Sequence, residues 1–138
     1  MQNAKLLTKT EKESVKMARR KSTVTTEENH LCKCKNTDML NLYMKLRAEL
    51  YECLENVSTG ATADYVSWSI DGGRQFVNFY IQKKKIRILT LEPIVKQNKG
   101  ENVPDTHQWT LKYRTDLFSE ADIKEAKSII YDSYNQLI

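Results

Sequence analysis

Between Met39 and Leu54 the apolar side chains return every three or four positions: Met39, Leu42, Tyr43, Leu46, Leu50, Cys53 and Leu54. That spacing is one face of a helix, and Thr37 or Asp38 stands where its N-cap belongs. The stretch NVSTGATAD that follows breaks the pattern. From Tyr65 the period drops to two: Tyr65, Ser67 and Ser69 alternate with Val66, Trp68 and Ile70, as in a half-buried strand. Asp71, Gly72 and Gly73 tolerate positive φ, so a tight hairpin turn is expected. Phe76 to Ile81 reads as the second strand, with Val77, Phe79 and Ile81 on one face. Lys83, Lys84 and Lys85 turn the chain again, Ile86 to Leu91 reads as the third strand, and Pro93 ends its ladder. Residues 96–105 read as a loop. His107 to Thr115 sets Trp109, Leu111 and Tyr113 against Thr110, Lys112 and Arg114, a fourth strand. Ser119 and Asp122 have the spacing of a capping box, and Ile123, Ala126, Ile130, Tyr134 and Leu137 line one face of the helix it opens.

These elements predict an α+β domain, a four-stranded antiparallel meander with two helices packed on one face. Ahead of it, Thr25 with Glu28 predicts a short helical turn ending near Leu31. Residues 1–22 are polar and basic with a weak apolar stripe (Leu7, Ser14, Val15 and Ala18), and read as a basic helical arm or linker. Residues 23–138 read as one domain, the expected number for a chain of 138 residues.

Charge changes the picture through its distribution. The net +4 hides an uneven split. Residues 1–37 carry nine Lys/Arg against four Glu, a balance of +5, and residues 38–138 carry thirteen against fourteen acids, a balance of −1. The basic excess belongs to the arm, and a near-neutral body does not predict strong nonspecific binding to nucleic acid. No apolar run is long enough to span a membrane, and the N-terminus lacks the apolar core of a secretory signal, so a cytoplasmic location is expected. Three cysteines, an odd number, read as free thiols.

The candidate nucleic-acid contacts are Lys83, Lys84, Lys85 and Arg87 at the hairpin tip, with Lys112 and Arg114 on the polar face of the fourth strand. A basic hairpin reaches a phosphate backbone, but lysines also crowd strand ends to keep edges soluble. Other chemistry is poorly supported. His30, Cys32 and Cys34, with His107, give a C-x-C spacing ill-suited to zinc. Asp71 with Gln82-x-Lys84 lacks the second acid of a metal-dependent nuclease. Neither histidine has a motif partner for nucleophilic catalysis, and no glycine-rich loop cradles a phosphate. Tyr65, Trp68, Trp109 and Tyr113 alternate with polar residues and are expected in the core rather than stacked on bases. Arg19, Arg20 and Lys21 read as a solvated linker. No catalytic residue, metal or cofactor is expected.

The ordered set TTEENHL (25–31), LYMKLRAELYECL (42–54), VNFYIQKKKIRILTL (77–91), HQWTLKY (107–113) and IIYDSYNQ (129–136) resembles a bacterial domain-of-unknown-function family of the "predicted transport protein" type. Its domains usually sit C-terminal to restriction-endonuclease-like or ParB-like DNA-targeting domains. The chain departs from that pattern where His107-Gln108-Trp109 replaces a Gly-containing GHW segment, and in a shortened loop after the third strand. At fold level its ending also resembles double-wing DNA-binding domains. The resemblance implies a non-enzymatic accessory or interaction module that meets a protein partner or neighbouring domain, with no catalytic residues to carry over. Direct nucleic-acid binding through the basic tip is the alternative, and a divergent enzyme or small-ligand binder the second alternative.

Overall fold

A computed structural model describes residues 24–104 and 110–138. The expected basic arm, residues 1–22, lies outside the described residues, as do His107 and Trp109. The first helix, α1 (Glu27–Cys32), is capped by Thr26 rather than Thr25: the Thr26 hydroxyl accepts from Asn29 N at 3.1 Å. Helix α2 (Thr37–Cys53) buries Leu42, Tyr43, Leu46 and Leu50, four of the positions its spacing marked, and Asn36 is its N-cap. Near the C-terminus Ser119 forms the expected capping box with Asp122 around a 3₁₀ turn, Glu120–Asp122, that leads into α3 (Ile123–Asn135).

Among the described residues the sheet has six strands, not four, and there are three helices, the two expected on the sheet and α1, which was expected as a short helical turn. The strands are β1 (Val57–Ala61), β2 (Val66–Ile70), β3 (Gln75–Ile81), β4 (Ile86–Thr90), β5 (Glu101–Asn102) and β6 (Tyr113–Leu117). All pairs are antiparallel, in the order β1-β2-β3-β4-β6-β5. The two added strands are the edges, where pairing is decided by a neighbour's free backbone groups rather than by apolar alternation. β1 (Val-Ser-Thr-Gly-Ala) has no large apolar side chain besides Val57, and β5 is two exposed residues inside the expected loop. The expected fourth strand starts at Tyr113, since Thr110 to Lys112 lie outside any strand.

The Asp71–Gly72 turn forms as expected, with φ of 50° and 73°, and Gly73 N donates to Ile70 O at 2.8 Å. In the hairpin that this turn joins, the register slips: Trp68 pairs with Val77 but Ser69 with Gln75, so Phe76 is an extra residue on β3. Such a bulge leaves one backbone group unpaired and puts two successive side chains on one face. Phe76 and Val77 accordingly both enter the core, fully buried. The buried Ser133 of α3 bridges β3 and the chain after β4 just beyond the last pair of their ladder, donating to Phe76 O at 2.6 Å and accepting from Leu91 N at 3.1 Å. The core lies between one sheet face and the helices: Leu46 and Leu50 from α2, Ala126 and Ile130 from α3, and Val66, Trp68, Phe79 and Ile88 from the strands.

Candidate functional site

The opposite sheet face carries the charged candidates. Register sets Tyr80 of β3 against Arg87 of β4, and Arg87 against Asp116 of β6. Leu89 pairs with Arg114, and Arg114 with Glu101. At the β3–β4 tip Gln82 N donates to Lys85 O at 2.9 Å, which closes a turn with the exposed Lys83 and Lys84 at its apex. The expected hairpin is therefore present, and Arg87 and Arg114 do lie on adjacent strands.

The fate of their charges differs. Lys85 Nζ lies 3.1 Å from Asp116 Oδ2 and 5.9 Å from the centre of the Phe118 ring. Arg87 Nε stands 3.6 Å from Asp116 Oδ1, an ion pair too long for a hydrogen bond. Arg114 is held by Glu101 at 2.5 Å. Three of the six candidate cations are thus matched by carboxylates of β5 and β6. Among the described residues Lys83, Lys84 and the exposed Lys112 form no ion pair. The aromatic residues divide as well. Trp68 is fully buried, Tyr113 is nearly so, and Tyr65 lies half-buried on the open face with its ring 5.1 Å from Tyr80. Burial, with the charges of Tyr65 and Asp64, pushes the Tyr80 hydroxyl up to about 12.

A second charged cluster lies inside the helical layer. Tyr43 donates to Glu27 Oε2 through a short hydrogen bond and accepts from Trp68 Nε1 at 3.1 Å. Arg47 grips the same carboxylate twice, Nε to Oε2 at 3.0 Å and a terminal nitrogen to Oε1 at 2.7 Å. Burial alone would push the Glu27 carboxyl up, but the hydrogen bonds from Arg47 and Tyr43 and the guanidinium charge hold it below the usual carboxylate value. Burial and the Glu27 charge together raise Tyr43 far above the ordinary phenol value. Both Glu27 oxygens, the Tyr43 hydroxyl and Trp68 Nε1 are paired, and the cluster locks α1 onto α2 and β2.

His30 has its Nδ1 3.0 Å from Thr62 O. A carbonyl only accepts, so Nδ1 carries the proton. The three cysteines are free thiols, and no group of three or more metal-ligating side chains comes together among the described residues. Asp71 and the Gln82–Lys84 pair sit at opposite ends of β3. That separation, about 3.3 Å per residue of strand, removes them as one metal-holding pair.

Two features were invisible in the sequence. After β4 the chain forms a knuckle at Ile94 and Val95. Their backbone N–H groups donate to the two oxygens of Asp132 at 3.1 and 3.0 Å, and Gln136 Nε2 donates to Glu92 O at 2.9 Å. Burial would raise the Asp132 carboxyl, yet these N–H groups and Gln136 hold it below its ordinary value. The side chains they present are 79% and 65% exposed. The second feature is a groove between α2 and α3, with Tyr131 on its rim.

No helix among the described residues is long and apolar enough to cross a membrane. A family described as "Domain of unknown function (DUF5655)" matches residues 27–136, so its model spans every helix and strand above. No curated protein and no solved structure matches the chain. The chain belongs to the DUF5655 family.

Proposed function

We propose, from the sequence resemblance set out above, that this domain is a non-enzymatic interaction module of a bacterial DNA-targeting protein or system, and that its contact is with a protein partner or neighbouring domain. The observation that carries the reading is the Ile94–Val95 knuckle. Two large aliphatic side chains stand in solvent on a backbone pinned by Asp132 and Gln136. Single exposed apolar residues are ordinary, but a pair held rigidly outward costs little entropy to dock. The charge pattern agrees: half of the basic candidates are neutralised within the sheet.

The test places a photo-crosslinking residue at position 94 and, separately, at position 84, in the native cell. A discrete protein adduct from position 94, absent from position 84 and lost in the Asp132→Ala chain, is the expected result. In parallel, anisotropy titrations with duplex and single-stranded DNA at about 50 mM salt are expected to show no saturable binding. Saturable binding overturns the reading. If the Lys83→Ala/Lys84→Ala chain then lost affinity, with a salt slope shallower by about one per lysine, the contact would be the tip. Lys83, Lys84 and Lys112, the cations left unpaired, are the observation that favours this second reading.

A further inference from the structure

The outer side of the helical layer carries two facing stripes. Lys45 and Glu49 stand one turn apart on α2; Lys124, Lys127 and Tyr131 follow at spacings of three and four on α3. Between them runs a groove of about 630 Å³, with Ile123 in its wall. That size accommodates a small organic molecule. Its walls are regular helices joined by the core, so the shape is largely pre-formed.

The chemistry of the walls is specific. Two ion pairs link the stripes: Lys45 Nζ to Glu120 Oε1 at 2.7 Å, and Lys127 Nζ to Glu49 Oε1 at 3.2 Å. Lys124 forms no ion pair among the described residues. Three lysines against two glutamates leave the lining at +1. Beside them Tyr131 is 45% exposed. Its ring lies nearly parallel to that of Tyr134, at 15° and 6.3 Å between centres. Tyr134 is itself fixed, its hydroxyl donating to Glu55 O at 2.8 Å and accepting from Glu55 N at 3.3 Å. A positioned aromatic ring therefore sits one helical turn from Lys127 and two turns from the unpaired Lys124.

We propose that this groove binds a nucleoside monophosphate, with the base stacked on Tyr131 and the phosphate held by Lys124 and Lys127. Stacking on an exposed ring tolerates any base. A phosphate offers more charge and more acceptor oxygens than a carboxylate. An exposed ion pair holds its partners only weakly. The phosphate accordingly displaces Glu49 from Lys127, while the Glu120 carboxylate in the same lining opposes it by like charge, so both glutamates weaken its binding. This site is independent of the knuckle and does not rest on the protein-docking reading.

Calorimetric titration of the full chain tests it, with AMP, adenosine and inorganic phosphate as separate probes. AMP is expected to saturate at millimolar concentration or below, and more tightly than either fragment. Tyr131→Ala should weaken AMP about tenfold and leave phosphate binding unchanged. Lys124→Ala should weaken AMP and phosphate but not adenosine. Glu49→Gln and Glu120→Gln should strengthen AMP binding several-fold, the opposite of what a purely structural role for the two ion pairs gives. The proposal is overturned if AMP does not saturate at millimolar concentration, if Tyr131→Ala leaves its affinity unchanged, or if neutralising the glutamates weakens it. These side chains line the surface, and thermal unfolding of each variant confirms that the fold is retained.

Discussion

Glu27 and Asp116 each draw two neighbours from other elements around one carboxylate, and the surroundings make the two clusters different objects. Glu27 is 8% exposed and has Tyr43 and Arg47 on its oxygens, with geometry that satisfies both. Arg47 is also stacked 4.5 Å above the Tyr51 ring, and Tyr51 lies 5.1 Å from Trp68. Asp116 sits on the open sheet face between Lys85 and Arg87, one at hydrogen-bond distance and one beyond it. In the first case removing one member strands a charge away from water, which is expensive. In the second, Lys85 and Arg87 keep about a third of their side-chain surface in water, so solvent replaces a lost partner in part, although Arg87 Nε and Asp116 Oδ1 themselves are shut off from it. The lesson is that the same residue types tie helices into the core in one place and sit at the half-wet margin of an open sheet face in the other.

The largest test of that contrast is Glu27→Ala. Arg47 and Tyr43 lose their acceptor while Arg47 keeps some access to water, so a loss of about 2–4 kcal/mol is expected in urea unfolding. A loss below about 1 kcal/mol would mean that the inner cluster behaves like a surface pair. Tyr43→Phe removes one hydroxyl that serves both Trp68 and Glu27, and should cost about 1–3 kcal/mol by the same measurement.

Acid sharpens the comparison without mutation. The Glu27 carboxyl is lowered in the folded state, so its stabilisation is fully present above the unfolded value of about 4.3. It is lost as pH falls through the lower folded value. Stability measured from pH 6 downward should therefore fall on the acid side, and fall less steeply for Glu27→Ala. Asp122 and Asp132 are lowered too, so the acid limb becomes shallower rather than disappearing.

On the sheet face the effects shrink. Asp116→Asn leaves the partly buried Arg87 without a carboxylate and is expected to cost about 1–2 kcal/mol, more than an exposed pair and less than Glu27→Ala. It would also raise any affinity for DNA by unmasking Lys85 and Arg87, readable in the same anisotropy titration. Smallest is Lys83→Ala/Lys84→Ala. Both side chains are exposed at a turn, and unfolding should shift by no more than about 0.5 kcal/mol. A larger loss would show that the lysines serve the fold.

Much of this was legible in the linear pattern. Helix α2, the Asp71–Gly72 turn, the two central hairpins and the Ser119 capping box follow from local rules: three-and-four spacing, alternation, positive φ and a side chain three residues away. β1 and β5 did not, because edge strands need only a neighbour's free backbone and carry no apolar period of their own. The bulge at Phe76 is another such case. It moves one residue into the core without leaving a mark on hydrophobicity. The candidate site divides in the same way. The tip lysines could be named from the sequence, whereas their neutralisation depends on Asp116, which is about thirty positions away and opposite Arg87 only through register. The stripe of Lys124, Lys127 and Tyr131 was present as helical spacing. Its facing stripe on α2 is a matter of packing.

By itself, the sequence determined the alternation of the main helices and strands, most of the residues that face the core, and the placement of net basic charge in the first 37 positions. Those are properties of neighbours along the chain, set by periodicity, turn geometry and composition. Tertiary structure alone decided which charges are cancelled, which backbone segment is pinned outward at Ile94 and Val95, and where two helices leave a groove between Lys45 and Tyr131. Each depends on groups distant in sequence meeting at 3 to 4 Å, and Coulomb and hydrogen-bond energies at that range respond to the fold rather than to the order of residues.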